Sequence, residues 1–251
     1  MAVDEALLRS VAEGAAPPTL RLYGWMPPAL TLGRGQPVAD ADLDALAADG
    51  IALVRRATGG TAVLNRDVFS YSVTVPVGDP RFAGSIAESY HGVSLALLAA
   101  LQSLGLRGAE ARANPEARTL RARERSVVCF ELPSDYEITV GGRKLFGSSQ
   151  MRSRGSILQH GTLVLAGDMG DISRYLASRP DPAHIRSVTA TLQAVLGRSV
   201  PWEEVAAAAV AAFAAALNLE LLEGALLPAE RLHVESLLAQ KYAADAWTHR
   251  L

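Results

Sequence analysis

Residues 136–150 read Tyr136-Glu137-Ile138-Thr139-Val140-Gly141-Gly142-Arg143-Lys144-Leu145-Phe146-Gly147-Ser148-Ser149-Gln150. Two alternating runs flank a glycine pair, and two glycines supply the positive φ angles that a two-residue primed turn requires. The stretch therefore predicts an antiparallel hairpin. Its register sets Thr139 opposite Lys144, Ile138 opposite Leu145 and Glu137 opposite Phe146. Lys144 then shares a face with Thr139, Glu137 and Ser148, while Tyr136, Ile138, Val140 and Leu145 take the other. That face is polar, so the lysine is expected to reach a cleft instead of lying buried. A plain solvated lysine beside a turn fits the same spacing.

Working outward, the chain reads as mixed α and β. Asp4 to Val11 predicts a short opening helix with Leu7, Leu8 and Val11 on one side. Strands are predicted at Leu20–Tyr23, Ala29–Leu32, Ile51–Arg55, Val68–Val75 and Ile157–Leu165, with a short acidic helix over Asp40–Ala48. Ser85 and Glu88 form a capping-box pattern ahead of a helix that Gly105 ends. Arg107 to Arg125, rich in charge, predicts a long exposed loop. After Gly167 the pattern is helical, over Pro182–Leu196, Trp202–Leu217 and Pro228–Trp247. Strands first and helices last imply an α+β fold, with mixed and antiparallel sheets packed with helices. Residues 1–251 read as one catalytic domain with a helical cover from about residue 167.

Composition narrows the chemistry. The 251 residues are 49% hydrophobic and 20% charged, with a formal net charge of −2, which argues against nucleic-acid binding. No run reaches the ~18–20 apolar residues of a membrane span, and Asp4 and Glu5 stand where a secretory signal would be basic. A cytoplasmic location is expected. One cysteine excludes an internal disulfide and a thiolate-cluster metal site. Of the 24 Lys and Arg residues, only Lys144 and Lys241 are lysines. No complete dinucleotide fingerprint, phosphate loop, nucleophile elbow or paired metal-spaced histidines occurs, so no metal is expected.

Two further segments look specialised. Arg55-Arg56-Ala57-Thr58-Gly59-Gly60-Thr61-Ala62-Val63 leaves a strand, turns on two glycines and re-enters a strand, which lets backbone amides approach an acyl oxygen or phosphate. A simple β-turn beside two solvated arginines is the plainer reading. Cys129 lies in the apolar stretch Val127-Val128-Cys129-Phe130, where an inert buried thiol is the commoner outcome. A nucleophilic role needs a nearby cation, because the thiolate attacks and a free thiol titrates near pKa ~8.5. Lys144 could supply it.

These residues carry a resemblance. Met1-Ala2-Val3-Asp4-Glu5-Ala6-Leu7-Leu8, Arg21-Leu22-Tyr23-Gly24-Trp25, Arg55 to Val63 and Tyr71-Ser72 fit one family pattern in order. So do Cys129-Phe130, Pro133-Ser134-Asp135-Tyr136-Glu137, Gly142-Arg143-Lys144, Gly147-Ser148-Ser149-Gln150, Leu158-Gln159-His160-Gly161-Thr162, and Lys241-Tyr242 with Trp247. The chain resembles the biotin/lipoate protein ligase superfamily over nearly its whole length, and within it the cysteine-dependent octanoyltransferases of lipoate biosynthesis. The resemblance implies the biotin/lipoate ligase catalytic-domain fold and a two-step acyl transfer. Cys129 would take octanoyl from octanoyl–acyl carrier protein as a thioester. A lysine of the glycine-cleavage H protein, or of another lipoyl domain, would then attack it, with no ATP or metal. Lys144 matches the lysine that favours the thiolate in that family. Arg56, Gly59, Gly60, Thr61, Ala62, Asn65, Gly147, Ser148, Ser149, Gln150, His160, Gly161 and Thr162 match its substrate-binding positions. An apolar tunnel for the acyl chain is worth ~0.8 kcal/mol per buried methylene.

The chain departs from the pattern in three places. Asn65 stands where the family usually has histidine, Ser149 where alanine is common, and the sequence begins at the helix instead of at a preceding strand. Two other functions stay open: an ATP-dependent lipoate–protein ligase working through an acyl-adenylate, and a non-catalytic acyl- or carrier-binding module. The arginine-rich segment 107–125 is a candidate surface for an acidic carrier. His91, Arg34 and Lys241 read as surface or packing residues.

Overall fold

The structure, a computed structural model, describes residues 1–111, 127–129 and 137–250. Among these, nine strands build two sheets. The larger has the order β1-β5-β9-β8-β7-β6 and is antiparallel throughout: β1 is Thr19–Tyr23, β5 Val68–Pro76, β6 Ala109–Ala111, β7 Ile138–Val140, β8 Arg143–Ser153 and β9 Ser156–Val164. The smaller is mixed. Its central strand β2 (Ala29–Leu32) pairs in parallel with β3 (Ala52–Arg55) and antiparallel with β4 (Val63–Asn65).

Strand β5 shows how the layers arise. Its sequence alternates apolar and hydroxyl side chains, yet nearly every residue is buried. Phe69, Tyr71, Val73 and Val75 face a core shared with helix α3 (Ile86–Ser103) and helix α6 (Trp202–Ala216). Ser70 and Ser72 face the other way, toward helix α1 (Ala2–Ala12), where Ser72 donates to Asp4 at 2.8 Å. The polar face of the large sheet is thus an interior layer, so its hydroxyls must find partners there.

Several expected elements form as read. Ser85 caps α3 in a full capping box with Glu88, and Gly141 and Gly142 both have positive φ at the hairpin turn. Others differ for identifiable reasons. A bulge between Ile138 and Thr139 keeps Thr139 opposite Lys144 but sets Ile138 opposite Phe146, not Leu145. The 107–125 segment is not wholly a loop, because Ala109–Ala111 pairs with β7 as an edge strand; residues 112–125 lie outside the described part. The acidic helix begins only at Leu43, forming α2 (Leu43–Ala48) after Asp42 caps Ala45 and Ala41 bridges Leu176. The Pro182–Leu196 helix divides into α4 (Pro182–Val188) and α5 (Leu192–Leu196), since Thr189 bridges Lys144 and Thr191 caps a new start. Beyond α7 (Pro228–Leu237) a π turn, Leu238–Tyr242, and a short helix α8 (Asp245–Thr248) replace a single helix to Trp247.

The C-terminal segment is clasped by charge. Arg55 is fully buried and donates to the carbonyls of Trp247 (3.0 Å), Thr248 (3.0 Å) and Arg250 (2.8 Å), as well as to that of Gly33 (2.9 Å). Lys241 pairs with Glu5 of α1 at 2.6 Å and stands 4.0 Å from the Trp247 ring, so it ties the tail to the first helix instead of being solvated.

Candidate active site

A cleft opens where β4 and the segment 127–129 meet the polar face of the large sheet. Its walls include Tyr23, Trp25, Thr31, Arg56, Val63, Asn65, Cys129, Gly147, Ser148, Ser149, His160, Gly161 and Thr162. Register brings most of these together. Tyr23, Ser70, Thr162 and Gly147 lie directly opposite one another across β1, β5, β9 and β8. One pair along, Leu22, Tyr71, Gly161 and Ser148 form the next rank, on the other face.

Gly161 is required by that second rank. The Tyr71 hydroxyl lies 2.9 Å from Ser148 Oγ, reaching across β9. A Cβ at Gly161 would stand 2.5 Å from Ser148 Oγ, 2.6 Å from the Gly147 carbonyl and 2.7 Å from the Tyr71 ring. Burial raises the Tyr71 hydroxyl to a pKa of about 12, so it remains protonated.

The segment carrying Cys129 is held by backbone bonds on one side and a lysine on the other. Ala62 N donates to Val127 O and Cys129 N donates to Ala62 O, each at 2.9 Å. Lys144 Nζ donates to the Cys129 carbonyl at 2.6 Å and forms an ion pair with Glu137 Oε2 at 2.7 Å. Lys144 is only 2% exposed. The expectation of a lysine projecting into the cleft is therefore corrected: Lys144 lies behind the cysteine, paired with Glu137, and touches the Cys129 backbone.

Arg55 and Arg56 are both buried, which excludes the simple turn beside two solvated arginines. Arg56 Nη1 donates to Thr31 O (2.9 Å) and Thr31 Oγ1 (2.8 Å), and Nη2 donates to Thr61 O (2.9 Å) and Gly59 O (3.3 Å). Burial lowers the Arg56 pKa, with Cys129 acting in the opposite direction. Asn65 completes this layer. Its amide donates to Ala29 O, Thr31 Oγ1 and Val63 O, and its oxygen accepts from Thr162 Oγ1. The glycine loop approaches the β2 end closely, where a Cβ on Gly33 would fall 1.7 Å from the Gly60 carbonyl.

Residues 1–214 match the family model described as the lipoyl protein ligase A/B catalytic domain. The chain belongs to the lipoyl protein ligase A/B catalytic-domain family. Octanoyltransferase LipM of Kyrpidia tusciae is 41% identical, the match covering 100% of this chain and 93% of that protein. Octanoyltransferase LipM of Symbiobacterium thermophilum is 38% identical with the same coverage. Among solved structures, lipoate-protein ligase A bound with ATP superposes with a TM-score of 0.81 at 25% identity, over 99% of this chain and 92% of that one.

Within this lipoyl ligase-type fold, the sequence-derived positions divide into three groups. Arg56, Asn65, Cys129, Gly147, Ser148, Ser149, His160, Gly161 and Thr162 converge on the cleft. Gly59, Gly60, Thr61 and Ala62 are not among its walls; Gly59 and Thr61 hold Arg56 and Ala62 holds Cys129. Gln150 turns away and donates to Ser89 on α3 at 2.9 Å and to Gln159 at 3.0 Å. Phe130 and Pro133 to Tyr136 lie outside the described residues.

Sequence reasoning did not single out Glu137, Thr58 or Asp4 as site residues. For Asp4 a signal exists: it falls at helical spacing with Leu7, Leu8 and Val11, on the buried side of α1. A carboxylate on an apolar stripe implies a buried partner.

Proposed function

We propose that this protein is an octanoyltransferase that carries its acyl group on Cys129. Octanoyl–acyl carrier protein is the donor, and a lysine of the glycine-cleavage H protein or another lipoyl domain is the acceptor. The observation that carries this reading is Cys129 itself. Its side chain borders the cleft while its backbone is fixed by Ala62 and Lys144. The likeness to LipM octanoyltransferases over the full chain supports the same chemistry.

Thioester exchange from carrier to cysteine is nearly isoenergetic, and formation of an amide then drives the second step. No ATP or metal is required by that sequence. Lys144 serves as a positioning cation. It draws the Cys129 carbonyl toward a buried ion pair and so fixes the direction in which the sulfur leaves the backbone. Arg56 brings a second buried cation to the same cleft, its hydrogen bonds going to neutral oxygens, and it favours negative charge developing on the acyl oxygen. The reaction takes place in the cytoplasm, and residues 1–251 act as one catalytic domain.

The test is incubation with octanoyl–acyl carrier protein without ATP, followed by intact-mass measurement. Wild type should gain one octanoyl group and Cys129→Ala none. Transfer to a lipoyl domain that persists in Cys129→Ala, or that requires ATP, would overturn the proposal in favour of an acyl-adenylate ligase. The fold's likeness to an ATP-bound ligase makes that the relevant rival.

A further inference from the structure

One rank of the large sheet ends in the cleft through a continuous line of hydrogen bonds. Arg21, Ser72, His160 and Ser149 lie directly opposite one another on β1, β5, β9 and β8. Asp4 of α1 lies over this rank. Its Oδ1 accepts from Arg21 Nη1 and from Ser72 Oγ, each at 2.8 Å, and its Oδ2 faces His160 Nδ1 at 3.3 Å. His160 Nε2 is 2.7 Å from Thr58 Oγ1, which is 2.8 Å from Ser149 Oγ.

The direction of every proton in this line follows by elimination. Burial would raise the Asp4 pKa, but the hydrogen bond from His160 and nearby positive charge, including Arg21, hold it well below the usual carboxylate range. Asp4 is thus an anion that can only accept, so Nδ1 of His160 carries the hydrogen. Burial lowers the His160 pKa, against the opposing pull of Asp4, with Arg56 adding to the lowering. The neutral ring then has its lone pair on Nε2, and Thr58 must donate to it. Having spent its only hydrogen, Thr58 accepts from Ser149. The Ser149 hydroxyl therefore points its hydrogen inward and leaves its lone pairs for the cleft that Cys129 also borders.

We propose that Ser149, Thr58, His160 and Asp4 form a proton relay that removes the proton from the amine attacking the Cys129 thioester. The inference rests on the octanoyltransferase reading and names the group that serves its second step. As the neutral acceptor amine attacks, an N–C bond forms and the nitrogen becomes positive. Its proton passes to Ser149 Oγ, the Ser149 proton to Thr58 Oγ, and the Thr58 proton to His160 Nε2. The resulting imidazolium sits against the Asp4 carboxylate. The C–S bond then breaks, Cys129 leaves as a thiolate, and the stored proton returns through the same line to the sulfur. No oxidant or further reactant is needed.

The loading step does not call on the relay, because the proton of the Cys129 thiol ends on the carrier thiolate that leaves as the sulfur attacks. The test separates the two steps. Octanoyl-enzyme is formed from octanoyl–acyl carrier protein and followed by intact mass, then mixed with a lipoyl domain in a single turnover. Thr58→Val keeps the shape but removes the hydroxyl, and Ser149→Ala removes the mouth of the relay. Each should slow transfer about 10²-fold, the lower range for general-base catalysis, while loading of Thr58→Val, whose residue lies outside the cleft lining, changes less than about threefold. Thr58→Ser should restore transfer to within about threefold. Wild-type transfer rates in Thr58→Val and Ser149→Ala would overturn the relay, as would equal losses in both steps. Failure of wild type to load would instead overturn the octanoyl-enzyme reading on which it rests.

Discussion

Removing the Lys144 ammonium should destabilise the protein far more than removing Lys144 and Glu137 together. The two side chains are 2% and 1% exposed, with Nζ and Oε2 2.7 Å apart. At an effective dielectric of about 20, their gross attraction is about 6 kcal/mol. Much of that offsets the desolvation of both groups, so the pair as a whole contributes little. Taking one partner away breaks this buried pair, which costs about 3–5 kcal/mol. Lys144→Met also frees the Cys129 carbonyl from its 2.6 Å donor. In a chain of this size, 1 kcal/mol shifts Tm by about 2–4 °C, so Lys144→Met should melt about 6–20 °C lower. Glu137→Leu combined with Lys144→Met should recover most of that loss, because similar-sized apolar groups replace both charges. Thermal or denaturant unfolding of wild type, both single variants and the double variant gives the cycle directly. A single-variant loss under about 1 kcal/mol, or a double variant no more stable than Lys144→Met, would refute the argument. The double variant also isolates chemistry from folding: it should be stable and yet load octanoyl poorly.

Gly161→Ala should lose about 1–3 kcal/mol in denaturant unfolding through overpacking, whereas Gly59→Ala, whose Cβ would meet nothing within 4 Å, should lose under about 0.5 kcal/mol. Arg55→Ala should release the tail, raising amide hydrogen exchange across 245–250 and lowering stability by at least about 3 kcal/mol, since several charge-assisted bonds vanish together; unchanged exchange there would contradict the clasp. His160 has its pKa lowered by burial, so below the unfolded value of about 6.5 the unfolded chain binds more protons than the native one. Stability should therefore fall as pH drops from 7 toward 5, and His160→Gln should flatten that slope; an unaltered slope would show that His160 is not the group responsible.

What the sequence made legible was local. The Gly141-Gly142 turn and the Ser85–Glu88 capping box depend on neighbours within a few residues, and both form as read. Lys144 escaped because alternation gives the face of a strand and not what covers that face. Glu137 and Thr189 close over it, and the bulge at Ile138 changes which residues sit across from it. The alternation along β5 marks a strand but not its cover: the hydroxyl face is buried too, with Ser72 bonded to Asp4 of α1. The family pattern included Thr58 and Asp4 in its matching stretches but marked neither as a site residue, because their partner His160 lies 102 and 156 positions away.

The two adjacent hydroxyls on β8 show how the sheet separates structural from chemical work. Ser148 and Ser149 have the same side chain and neighbouring backbones, so their difference comes only from the strand's alternation. Ser148 turns to Tyr71, a phenol kept protonated by burial, and the absence of a Cβ at Gly161 lets that bond span a whole strand. Ser149 turns to Thr58, behind which lie an imidazole and an ionised carboxylate, groups able to store a proton. A one-residue slip of β8 against β9 would exchange the two faces. The slip that sets Ser149 opposite Gly161 would leave it on the phenol, with no base behind it, and would set Gln150 opposite His160 in the relay's place. Register across four strands, more than any single side chain, is therefore what gives the cleft its base.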